Sequence, residues 1–113
     1  SWLEVPDPGF EGDVPTRRQV AAATFFDGGE GLWFHEGVVY FSTKGDNRVW
    51  ALEVATDTLR VLYDAETAAD PLLRGVDNIT VSCRGDVLVA EDGGSMQIVA
   101  ILPDGSLRVL VQV

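Results

Sequence analysis

Short apolar runs alternate with clusters of turn-forming residues along most of this chain. Val38-Val39-Tyr40-Phe41, Val49-Trp50-Ala51-Leu52 and Leu59-Arg60-Val61-Leu62 are separated by Lys44-Gly45-Asp46-Asn47 and Val54-Ala55-Thr56-Asp57. Runs of this length, rich in β-branched and aromatic residues and bounded by Gly, Asp and Asn, read as strands joined by antiparallel hairpins. The pattern predicts strands near 31–34, 38–43, 48–53 and 58–63, then near 78–82, 86–91, 97–102 and 106–111. Val38 to Phe41 has no polar alternation, which predicts a strand buried on both faces.

The second set of strands repeats the first. Glu30-Gly31-Leu32-Trp33 corresponds to Asp77-Asn78-Ile79-Thr80, and Leu59-Arg60-Val61-Leu62 to Leu107-Arg108-Val109-Leu110, at offsets of 47 and 48 residues. Four short strands per period of this length suit one blade of a β-propeller. The expected fold is therefore all-β, a β-propeller fragment of about two four-stranded antiparallel blades. The expected divisions are an extended N-terminal strap at 1–26, a first blade at 27–63, an inter-blade loop at 64–76 and a second blade at 77–113. Pro6, Pro8 and Pro15 set the character of the strap, while Val20 to Phe26 fits either an edge strand or a short helix. Ala65 to Ala69 has room for one helical turn before Pro71. Trp33 and Trp50 are expected to pack between blades and Met96 to fill a core gap. Trp2 is open to docking on a blade face or to mobility.

Two blades cannot close a ring, and each leaves a face without a neighbour. Such faces exceed the apolar patch a monomer ordinarily exposes. They are expected to meet either the remainder of a longer chain or other copies of this one, three copies giving a six-bladed ring.

Composition narrows the function classes. The chain has 113 residues and a formal net charge of −10, from 18 acidic and 8 basic side chains. That charge repels phosphate backbones, which excludes nucleic acid as an expected partner. No apolar run approaches the ~20 residues of a bilayer span, and the first residues lack the basic and apolar regions of a signal peptide. The single Cys83, in a turn, excludes an internal disulfide. His35, the only histidine, lies in a hairpin turn and supports no nucleophile–base set.

The candidate chemistry is oxygen donors. Glu30 opens the first unit and Asp77-Asn78 the second, so in a propeller they converge at one end of the central channel. Glu91-Asp92 ends a strand where the first unit has Thr43-Lys44, so the blade plan itself does not demand this acidic pair. Glu30, Asp77, Asn78, Glu91 and Asp92 are the expected metal ligands, and their hard oxygens suit Ca²⁺. The competing reading is that Asp and Asn cap turn amides and Glu91-Asp92 forms a solvated turn. Glu91→Ala is expected to lower metal content and leave the fold largely intact.

Phe26 to Trp33, Val39 to Asp46, Val76 to Ser82 and Gly85 to Gly93 together resemble the C-terminal portion of PhoX-type alkaline phosphatases. The resemblance implies a propeller outside the cytoplasm that hydrolyses small phosphomonoesters with iron and calcium. It makes Glu30 and Glu91 metal ligands, with Asp77, Asn78 and Asp92 beside them. The family's upstream Cys-Glu-Glu element, which helps hold iron, has no counterpart here, so iron belongs to the complete protein and the chain alone is expected to be inactive. A calcium-dependent lactonase-type propeller is the alternative enzyme, although it carries Asn-Gly where this chain has Asn78-Ile79. A non-catalytic propeller scaffold is the third reading.

Overall fold

The turn chemistry forms the strands where the pattern predicts them. In the computed structural model, which describes residues 1–113, eight strands follow a single 3₁₀ turn at Thr16–Arg18. β1 (Gly29–His35), β2 (Val38–Thr43), β3 (Arg48–Glu53) and β4 (Thr58–Asp64) form one antiparallel sheet in sequential order. β5 (Val76–Val81), β6 (Val87–Glu91), β7 (Gln97–Ile101) and β8 (Leu107–Gln112) form a second sheet of the same order. Glu36 and Gly37, both at positive φ, close the β1–β2 hairpin in two residues, the backbone a tight hairpin needs.

The repeat extends to irregularities in the ladders. β1 bulges between Gly29 and Leu32, and β5 bulges between Val76 and Ile79. The outer pairs bulge at matching places, with Leu62 the extra residue on β4 opposite Val49 and Trp50, and Leu110 the extra residue on β8 opposite Ile98 and Val99.

One face of each sheet is pressed against the other. Val49 and Tyr63 of the first sheet, Ile79, Val87, Val89, Val99 and Ile101 of the second, and Leu73 of the connection form one buried cluster. The Tyr63 hydroxyl donates to the Leu73 carbonyl at 2.7 Å and accepts the Leu73 amide at 3.2 Å, which pins the connecting chain to the first sheet. Burial pushes the Tyr63 phenol above its ordinary pKa, so it stays a neutral donor. The connection makes one α-type turn, with the Ala68 amide donating to the Asp64 carbonyl at 3.0 Å.

β1 and β5 approach closely enough that side chains are excluded between them. A Cβ on Gly31 would lie 2.6 Å from the Ile79 nitrogen. Only glycine fits here, and the reason is space.

Several expectations need correction. Val38 to Phe41 is half-buried, because the face carrying Val39 and Phe41 has no sheet over it. Trp50 lies on that same open face, with Phe26 edge-on to Phe41 and Trp50 at 5.0 and 5.3 Å between centroids. Trp33 is exposed, and Met96 is exposed in the β6–β7 turn where a core role was expected. Val20 to Phe26 forms neither strand nor helix, only a turn in which the Ala23 amide donates to the Val20 carbonyl. The Trp2 indole donates to Asp57 in the β3–β4 turn at 2.9 Å and remains exposed, so it does not pack on a sheet face.

If the Gly31 approach sets the spacing of the sheets, Gly31→Ala destabilises by about 1–3 kcal/mol, the usual cost of overpacking. Gly29→Ala, with open space around its Cβ, is expected to change stability by less than about 0.5 kcal/mol. Urea denaturation of both variants measures the difference.

Candidate functional site

Glu30 and Gly31 in β1 lie opposite Ser42 alone, and Asp77 and Asn78 in β5 opposite Ala90 alone, so each bulge adds one residue to its strand. A bulge breaks the ladder and re-aims its side chains, a device enriched beside functional sites. It also leaves backbone groups in need of new partners. In β1 the need is met by Ser42, whose buried hydroxyl accepts the Gly31 amide at 2.9 Å and donates to the Asp77 carbonyl. One hydroxyl thus joins β2, the β1 bulge and the β5 bulge. The second sheet has Ala90 at the corresponding position, and there the Asn78 side-chain carbonyl accepts the Ile79 amide at 2.9 Å.

The five candidate ligands have distinct environments. Glu30 is exposed and lies one residue before the Gly31–Asn78 contact. Asn78 is exposed, with its oxygen turned to its neighbour's amide. Asp77 is half-buried, 3.5 Å from the Lys44 ammonium. Asp92 is exposed and accepts a hydrogen bond from Lys44 at 2.6 Å. Glu91 is buried, and both its oxygens are engaged: one accepts the Arg74 amide at 2.7 Å, the other the Gln97 amide at 3.1 Å. Asp77 and Asp92 are therefore gathered on Lys44, while Glu91 serves the backbone where β5 and β7 begin.

Lys44 is the residue that sequence reasoning passed over as a hairpin tip, and its signal was present in the repeat. Lys44 and Asp92 occupy equivalent places: the Lys44 amide donates to the Gly28 carbonyl at 2.7 Å, the Asp92 amide to the Gly75 carbonyl at 2.9 Å. Gly28 and Gly75 both have positive φ. The two sheets thus carry opposite charges at the same position, and these charges meet across the seam. This contact gives a role to the aspartate that the repeat itself does not demand.

Asn47 adds a second tie. At a left-handed φ of 50°, its side-chain oxygen accepts the Gly75 amide. Asparagine tolerates that backbone and carries the acceptor, so one residue closes the β2–β3 turn and holds the start of β5. On the open side of the first sheet, Arg48 donates to Asp64 at 2.8 Å and to Asp46 at 3.0 Å. No group of three or more His, Cys, Asp or Glu side chains in the chain is arranged to hold a metal ion.

The Lys44 hydrogen bond holds the Asp92 carboxyl below its ordinary value of 3.8, and the same bond, followed by the attraction of the two charges, raises Lys44. A depressed carboxylate contributes stability above its unfolded pKa and loses it as pH falls through the folded value. Stability is therefore expected to drop as pH is lowered below about 3.8, and the drop is expected to be smaller in Lys44→Met. Both groups are partly solvated, so the difference is modest and salt-sensitive. Urea midpoints of the two proteins across that pH range, at low salt, measure it. Glu91→Ala would also strip two amides of their acceptor, at about 1–3 kcal/mol for each group left unsatisfied, so that variant is expected to lose stability. Comparison with family models, with curated proteins and with solved structures gives no match for this chain.

Proposed function

We propose that the chain forms two blades of a metal-dependent, phosphatase-like β-propeller, in which phosphomonoester hydrolysis belongs to the complete ring. The observation that carries this reading is the side-by-side packing of two bulged inner strands, which brings Glu30 next to Asp77-Asn78. The spaced Glu-Gly, Asp-Asn and Glu-Asp-Gly elements that resemble the PhoX type support it. In such a ring a bound cation would offset acidic walls and attract a phosphate ester that the chain's own charge of −10 repels.

The residues of these two sheets do not by themselves fit a resident calcium ion. Calcium takes about 6–8 oxygen ligands, whereas Glu91 is spent on two backbone amides and Asp77 and Asp92 on Lys44. Glu30 is the contribution left to a shared site, since the Asn78 oxygen accepts the Ile79 amide, and the other donors, with any iron ligands, would lie on further sheets. No catalytic step is assigned to this chain alone.

A non-catalytic scaffold is the second reading, favoured by the internal use of Glu91 and Asp92. Assay of the complete protein with p-nitrophenyl phosphate and a simple lactone, with and without chelator, separates these readings. The phosphatase reading expects phosphate release that chelator abolishes and that Glu30→Gln reduces by about 10–100-fold, as loss of a group supporting a metal does. Lactone turnover without phosphate release supports the lactonase alternative, and no turnover of either supports the scaffold. Phosphate release unchanged in Glu30→Gln contradicts the assignment of that residue.

A further inference from the structure

Each sheet has one face covered by the other sheet and one face open, and the repeat relates the two kinds of face. Ile79, on the covered face of the second sheet, is 4% exposed; its counterpart in the first sheet, Leu32, is 66% exposed. Leu73, buried beside Ile79, corresponds to Phe26, which lies over Phe41 and Trp50 on the open face. The relation runs the other way on the remaining faces. Val49 and Tyr63 are 0% and 5% exposed on the covered face of the first sheet, and their counterparts Ile98 and Val111 are 39% and 50% exposed on the second. The open face of the first sheet thus repeats the half-interface that the second sheet already presents internally. The open face of the second sheet repeats the other half.

The side-chain sizes fit this relation. Inside the chain the large Tyr40 and Tyr63 of the first sheet meet the smaller Val89 and Val99 of the second. Across the open faces the bulk changes sides: Phe26, Phe41 and Trp50 on the first sheet stand for Leu73, Val89 and Val99, and Leu88, Ile98 and Val111 on the second stand for Tyr40, Val49 and Tyr63. Small becomes large at all three positions of one half, and Tyr becomes Leu or Val at two of the three positions of the other, so most of the added bulk faces a reduced partner.

We propose that the open face of the first sheet docks against the open face of the second sheet of another copy of this chain, head to tail, repeating the internal contact. The occupant is a second copy because the chain itself carries the complementary half. Such a contact is heterologous, so each copy uses two different surfaces and the assembly closes as a ring or extends. It does not rest on the phosphatase reading.

The charges at this seam differ from those inside the chain. Internally Lys44 pairs with Asp77 and with Asp92. Between copies Asp92 takes the place of Lys44 and meets Glu30, a second carboxylate, and Lys44, an opposite charge, while each copy carries a net charge of −10. The two copies as a whole repel, so association is expected to strengthen as salt screens their net charge.

Sedimentation equilibrium of the purified chain at tens of micromolar and high salt tests the contact. The expected result is a mass that is a multiple of 12.2 kDa. Leu32→Asp and Ile98→Asp alter exposed positions, so circular dichroism should report an intact fold, while each variant alone weakens association by more than about 100-fold through an unpaired buried charge. Mixing the two variants restores one sound contact per pair and should yield a heterodimer. A monomeric wild-type chain overturns the proposal, and so does an assembly that survives Ile98→Asp, because that variant leaves a symmetric pairing of Leu32 faces untouched.

Discussion

The contact between two bulged strands governs the arrangement of the whole molecule. β1 and β5 touch backbone to backbone at Gly31 and Asn78, where no Cβ fits on Gly31. A ladder cannot satisfy the groups exposed by the bulge, so the Ser42 hydroxyl accepts a hydrogen bond from the Gly31 amide and donates one to the Asp77 carbonyl. This single side chain couples the geometry of one sheet to the position of the next. Buried polar groups left without such a partner cost about 1–3 kcal/mol each, so the spacing and the hydrogen bonds specify each other.

From that seam the rest follows outward. The spacing lets Val49 and Tyr63 interleave with Val89 and Val99, and the burial of these side chains is the main stabilising term at about 25 cal/mol per Å² of apolar area removed from water. Asn47 fixes the entry of β5, and Lys44 bridges to Asp77 and Asp92 at the seam's exposed rim. The polar ties are few and local. They set the register of the two sheets, while the apolar cluster supplies the cohesion. The same division explains the open faces, which carry the repeat's apolar residues without the hydrogen bonds that Ser42 and Tyr63 make inside.

Strand positions were legible in the sequence to within two residues, because Glu36-Gly37, Lys44 to Asn47 and Gly93-Gly94 interrupt the apolar runs so clearly. The repeat was legible too. The bulges were not, since a run such as Glu30-Gly31-Leu32 reads the same whether or not two residues leave the ladder. Burial was misjudged where it depends on neighbours: Phe41 and Trp50 look like core by type, yet no sheet covers them, only Phe26 and, over Trp50, the Arg48 guanidinium. Met96 looked like a gap filler by chemistry but lies exposed in a turn at a left-handed φ of 52°. For the candidate ligands, position alone could not distinguish a carboxylate free for a cation from one bound to amides. Glu91 is held by Arg74 and Gln97, and no pattern in the chain announces a contact that closes across a connecting loop.

The central claim is that Ser42 locks the two sheets through the Gly31 amide. Hydrogen exchange at that amide tests it most directly, because a bulged position outside the regular ladder would otherwise exchange like a turn. The account predicts Gly31 protection comparable to that of the buried Val99 amide, and a fall in both when Ser42 is replaced by alanine, as expected of one cooperative unit. A Gly31 amide that exchanges at the rate of an exposed loop in the unmodified protein would contradict it.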